Sequence, residues 1–175
     1  MPGIKSNTKK NASEKGGADA YVETDDADTI AKREAELIDF LASFDDWLSV
    51  YSYLIDSTFY LDPFTNEDRK NAETVEDCQS ATWILATVEN GTVSIKVDSE
   101  ALIVKGLAAL LVRLLDGQPV DAVLESEIDF VSKTMLEQYL DAPRSKGLSA
   151  MHKTIVEQVR KFVKGQTFSR STVSY

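Results

Sequence analysis

The chain has 175 residues, and its 29 Asp and Glu against 19 Lys and Arg give a formal charge of −10. So acidic a surface repels phosphate backbones and anionic lipid, so no nucleic-acid or membrane partner is expected. A single Cys and a single His exclude an internal disulfide, a Cys/His zinc site and a cysteine-held iron–sulfur cluster; no bound cofactor or metal is expected, and the cytoplasm is the expected compartment.

Residues 1–27 are rich in Lys, Ser, Asn, Gly, Asp and Ala and read as a disordered tail, because they cannot bury enough surface to offset chain entropy. The lysines near the start are not followed by an apolar run, so no secretory signal is read there. One domain is expected over residues 28–164, followed by a flexible tail over 165–175. Asp28 or Thr29 is suited to cap a first helix with Ile30, Leu37, Ile38, Leu41 and Phe44 on its apolar stripe. Asp45 opens a second, carrying Trp47, Leu48, Tyr51, Leu54 and Ile55. Residues 59–71 contain Pro63 and many polar side chains and read as a loop with one helical turn.

Strands follow. Residues 82–88 are β-branched and apolar, and residues 92–97 alternate with Val93, Ile95 and Val97 on one face. Asn90-Gly91 between them predicts a hairpin, since both residues tolerate positive φ. A short third strand is expected near residues 73–76. Asp98-Ser99 is expected to cap a helix over about 100–115 that is apolar nearly all round and therefore central. That stretch is broken by Lys105 and Arg113 and is too short to span a bilayer. Asp116-Gly117 ends it, Pro119 starts a short helix over 120–124, another is expected over 128–139, and a last one runs from Pro143 to about Val163. Helices segregated from a small antiparallel sheet of about three strands predict an α+β fold.

Cys78 carries the most distinctive chemistry of the chain. A lone cysteine is often only a small buried hydrophobe, but Val75-Glu76-Asp77-Cys78-Gln79-Ser80-Ala81 is polar and precedes a strand, which places the thiol on a loop where reactive groups tend to sit. Glu76 and Asp77 disfavour the thiolate, and no cation is adjacent in sequence. Any activation must therefore come from distant residues or from a partner.

Cys78-Gln79-Ser80 followed by Trp83 resembles the Cys-Gln-Ser-x-x-Trp signature of the SufE family. Asp98-Ser99-Glu100 leading into Ile103-Val104-Lys105-Gly106 resembles its second motif, and Pro143-Arg144 with Gly147-Leu148 and Ala150-Met151 its third. The three stand in family order. The resemblance implies an α+β fold similar to that of IscU-type scaffolds. It also implies a sulfur acceptor in iron–sulfur cluster assembly, a partner protein rather than an independent enzyme. A cysteine desulfurase of the SufS or CsdA kind, which holds the pyridoxal phosphate, would pass persulfide sulfur to Cys78, and a downstream iron–sulfur scaffold would receive it. The chain departs from the family pattern at Asp77, where Gly is usual, and at Glu73, where Asn is usual.

Gln79, Ser80, Glu100, Lys105 and Arg144 are the candidate partner-binding or loop-supporting residues beside Cys78. Lys105 either snorkels from its helix or faces the cysteine loop. Trp83 reads as core, and His152 as structural or solvent-facing. A noncatalytic desulfurase adaptor and a single-cysteine redox protein remain alternatives.

Overall fold

The computed structural model describes residues 27–170, with side chains to residue 166. The tail expected at the N-terminus, but for its last residue, and residues 171–175 lie outside them. Helix α1 (Ile30–Ala42) starts at Thr29, whose side chain accepts the Lys32 N–H, and α2 (Trp47–Ser57) starts at Asp46, which accepts that of Ser49. A 3₁₀ turn (Thr58–Tyr60) leads to α3 (Asn66–Asn71), where Thr65 and Asp68 form a reciprocal capping box.

Three strands, β1 (Glu73–Thr74), β2 (Thr82–Glu89) and β3 (Thr92–Ser99), form an antiparallel sheet in the order β1-β2-β3. Asn90 and Gly91 take φ of 52° and 80°, the paired left-handed conformation that a two-residue hairpin turn requires. The register sets Ile84 against Val97 and Ala86 against Ile95, so alternate residues of both strands point into the core.

Helix α4 (Leu102–Leu115) is the centre of the molecule, packed between α2 and β3. Every residue from Gly106 to Leu111 is buried, as are Leu114 and Leu115. Gly106 is required there: a Cβ would lie 2.4 Å from the carbonyl oxygen of Leu54 on α2. The α4 C-terminus carries a cation, as a helix dipole favours: Arg33 Nη1 donates to the carbonyls of Arg113 and Asp116 at 3.1 and 2.7 Å.

Helix α5 (Val120–Leu124) follows Pro119 as expected. The helix expected over 128–139 does not form along its length; only α6 (Leu136–Tyr139) is helical. The remainder is turns pinned by Phe130, which is fully buried, and by the Ser132 and Thr134 hydroxyls bonding to nearby carbonyls. The last helix, α7 (Ala142–Arg170), runs beyond Val163. It lies along β2, and Gln158 binds that strand through Ala86 N–H at 2.6 Å and the Ile84 carbonyl at 3.0 Å. β1 pairs only with Trp83 and Ile84, so an amide side chain satisfies backbone that a longer β1 would have covered.

The cap expected for α4 fails as well. Asp98 and Ser99 do not cap α4 but end β3, paired with Trp83 and Thr82; the position before α4 is Ala101, without a side-chain cap. Asp98 is unavailable as a cap because its carboxylate is held by Lys105 at 3.0 Å and Arg69 at 2.6 Å. Among the described residues no helix is long and apolar enough to cross a membrane.

Candidate functional site at Cys78

The loop between β1 and β2 is closed at its base by Val75 N–H donating to the Thr82 carbonyl at 2.9 Å, and a turn follows in which Cys78 N–H donates to the Val75 carbonyl at 3.3 Å. Buried Val75 anchors one end and fully buried Thr82 the other. The loop position matches the expectation, but the thiol turns inward. Cys78 is half-buried, and its Sγ lies 3.7 Å from the carbonyl of Gly147 on α7, within reach of a weak S–H donation. Gly147 makes that approach possible, since a Cβ there would come within 3.2 Å of the sulfur.

The thiol faces a cavity of about 220 Å³. Cys78, Gln79 and Ser80 form one wall, Leu102, Ile103 and Leu107 of α4 a second, and Pro143, Arg144, Gly147 and Met151 of α7 a third, with Tyr51 of α2 at the side. The three sequence motifs, scattered along the chain, thus meet around one sulfur atom.

Burial pushes the Cys78 thiol pKa up; the Thr82 hydroxyl pulls it down, and the Asp77 charge adds to the rise. Asp77 is not bare. Lys146 of α7 pairs with it at 2.9 Å, both side chains being exposed, so the cation absent from the local sequence is supplied by the third motif.

The candidate residues divide into two groups. Gln79, Ser80 and Arg144 line the cavity. Arg144 sits at the start of α7, where a cation is disfavoured, and is offset by Asp141, which accepts both its backbone N–H at 3.0 Å and its guanidinium at 2.9 Å. Glu100 and Lys105 lie off the cavity wall. Glu100 is exposed and binds the loop through its backbone, its N–H donating to the Ala81 carbonyl at 3.0 Å. Lys105 faces Asp98 rather than the sulfur. Burial opposes the charge of Asp98, but Lys105 and then Arg69 outweigh it and hold the carboxyl below the usual range. Arg69 also lies 3.8 Å from the Trp83 ring centroid, so half-buried Trp83 serves as a stacking platform at the foot of the loop. Lys105 thereby braces the strand pair from which the loop springs.

Thr82 and Asp141 escape sequence reasoning, for neither belongs to a pattern with a chemical meaning by itself. His152 bonds to Ser126 Oγ at 2.8 Å and does not line the Cys78 cavity. Among the described residues no group of three or more His, Cys, Asp or Glu could hold a metal ion.

Comparison with known proteins places the chain in a family. The SufE family model, described as an Fe-S metabolism associated domain, matches residues 35–159. The chain is 34% identical over 129 residues to a cysteine desulfuration protein SufE of Wigglesworthia glossinidia brevipalpis, covering 70% of this chain and 89% of that protein. It is 33% identical over 108 residues to an uncharacterized SufE-like protein of Synechocystis sp., covering 62% and 68%. The solution structure of a hypothetical protein from Thermus thermophilus is similar with a TM-score of 0.66 at 26% identity, over 75% of this chain and 96% of that one. With the family model spanning the sheet and all three walls of the Cys78 cavity, the chain belongs to the SufE family.

Proposed function

We propose that this protein accepts sulfur from a cysteine desulfurase on Cys78 and passes it toward iron–sulfur cluster assembly. The observation that carries the reading is the convergence of three family motifs on a cavity around the only thiol of the chain. The name of the Wigglesworthia relative supports a desulfurase as partner. The pyridoxal phosphate belongs to that partner, and an iron–sulfur scaffold is the recipient downstream.

The transfer is a thiol exchange. The Cys78 thiolate attacks the outer sulfur of the desulfurase persulfide; a new sulfur–sulfur bond forms, the old one breaks, and the desulfurase cysteine leaves as a thiolate that takes up a proton. No external oxidant or reductant is needed. A raised thiol pKa keeps resting Cys78 largely protonated and slow toward other electrophiles, so reaction waits for a docked partner.

The test is incubation with a desulfurase and cysteine. The wild-type chain gains the mass of one sulfur atom, reversibly by a reducing thiol, and raises desulfurase turnover. Cys78→Ser folds, since the sulfur is only half-buried and makes weak polar contacts, and still docks, because affinity is spread over an interface. It takes up no sulfur and gives no stimulation when removal of the enzyme persulfide limits the rate. Equal stimulation by wild type and Cys78→Ser would refute the carrier mechanism and leave an adaptor.

A further inference from the structure

The 3₁₀ turn after α2 presents two aromatic side chains to solvent: Phe59 is 80% exposed and Tyr60 90%. A turn of this kind is made as well by polar residues, so local structure does not account for them. Beside them lies a largely apolar groove of about 470 Å³, lined by Tyr53, Tyr60 and Leu61 together with Ala109, Leu110 and Val112 of α4. Tyr53 continues this surface onto α1, where the Phe40 ring, 43% exposed, stands 4.9 Å from its own. Contiguous exposed apolar surface marks a site of association.

The rim of the groove carries both signs of charge. The Arg113 guanidinium lines it, donates to the Tyr53 hydroxyl at 2.6 Å, and forms no ion pair among the described residues. Asp62, exposed and next to Leu61, likewise has no cation partner among them.

Projecting rings beside an apolar groove, with an unpaired charge of each sign, make a surface that complements itself. Across a two-fold axis residue i of one copy meets j of the other, and j meets i. Phe59 and Tyr60 of each copy then enter the groove of the other, and each Arg113 faces the other's Asp62. A different protein would have to supply rings, groove and both charges in matching places; a second copy has them already. Phe40, Phe59 and Tyr60 offer roughly 400 Å² per copy, taking about 200 Å² for an aromatic side chain, which is about half of the ~800 Å² that each partner contributes to a stable interface. The groove walls and the charged rim have to supply the other half. The chain as a whole is acidic at −10, which repels a second copy at long range, so association is confined to a face that brings its own cation.

We propose that the protein forms a two-fold dimer through this face. No residue lines both the groove and the Cys78 cavity. Tyr51 lines the cavity and Tyr53, about 200° further round α2, the groove, so the dimer leaves both thiols open. The proposal does not depend on what those thiols carry.

The experiment is sedimentation equilibrium of the full chain in a reducing buffer, so that no Cys78 disulfide can join copies, at about 0.15 M salt, where net charge is screened beyond about 8 Å. The wild type is expected to pass from monomer to dimer with a dissociation constant on the order of 10 µM. Phe59→Ser and Tyr60→Ser, both at exposed positions, each weaken the dimer about ten-fold or more. Arg113→Glu and Asp62→Arg, each of which sets like charges together across the axis, also weaken it, and the double variant Arg113→Glu/Asp62→Arg restores it, because the exchanged charges meet again in the other copy. A wild type that stays monomeric to about 500 µM overturns the proposal and leaves the face to a different partner. A dimer that Phe59→Ser and Tyr60→Ser leave unchanged overturns it too, as does a double variant that associates no better than Arg113→Glu alone.

Discussion

Replacing Gly147 by alanine opposes two effects of similar size beside the thiol. Alanine in a helix interior is favoured over glycine by about 0.5–1 kcal/mol, from backbone entropy. Against this, the new Cβ would stand 3.2 Å from Cys78 Sγ, a few tenths of an ångström inside the optimum of about 3.5–4.0 Å. The next heavy atom, Cys78 Cα, is 4.0 Å away, so only the sulfur obstructs. That sulfur turns about one side-chain torsion and faces a cavity of about 220 Å³, so it yields more cheaply than helix or loop backbone. The expected result is stability unchanged, or raised by up to about 0.5 kcal/mol, with the sulfur turned away from the Gly147 carbonyl and more exposed. Burial is the largest cause of the raised thiol pKa, so exposure lowers it and alkylation near neutral pH becomes several-fold faster. Thermal melts and iodoacetamide rates against pH measure both effects. A loss above about 1 kcal/mol with an unchanged alkylation rate would refute the reasoning, because it would mean a sulfur held too rigidly to move.

At Gly106 the obstacle is backbone, the Leu54 carbonyl 2.4 Å from a Cβ, so Gly106→Ala must separate α2 from α4; denaturant melts are expected to show a loss of about 2 kcal/mol or more, and a neutral result would contradict the packing. Asp77→Gly removes the acidic neighbour that raises the Cys78 pKa, so alkylation accelerates, but modestly, since Asp77 is exposed and already paired with Lys146; slower alkylation would show that the pair orders the loop for reaction. His152 is half-buried, and burial pushes its pKa below the ordinary value near 6.5, with Glu34 pulling the other way. The unfolded chain therefore binds a proton that the folded chain disfavours, so this contribution to stability is full above about pH 6.5 and is lost as pH falls below it. His152→Gln is expected to flatten that decline in urea midpoints between about pH 7.5 and about pH 5, and an equal decline in both proteins would exclude His152 as its source.

The elements legible in the sequence are those whose cause is local. Asn90-Gly91 declares its hairpin because both residues tolerate positive φ, and α4 declares its centrality because its apolar residues leave little polar face. The misread cap at Asp98-Ser99 shows where locality stops. Those residue types favour a helix start, but ladder partners on β2 and the cations of Arg69 and Lys105 claim them first. The bonding of Gln158 of α7 to β2 and of Asp141 to Arg144 is likewise decided by what the fold leaves unsatisfied.

The site obeys the same division. Motifs mark which residues gather at the thiol but carry no information about what each one touches there. Read locally, Glu76 and Asp77 leave Cys78 in a purely acidic setting. In the fold, Lys146 arrives from α7 to meet Asp77, and the Gly147 carbonyl one residue later meets the sulfur. One turn of α7 thus delivers a cation to the neighbour of the thiol and an acceptor to the thiol itself. The acceptor holds the protonated form and the cation tempers the charge that opposes ionisation. The setting of Cys78 therefore depends on α7 as well as on its own loop.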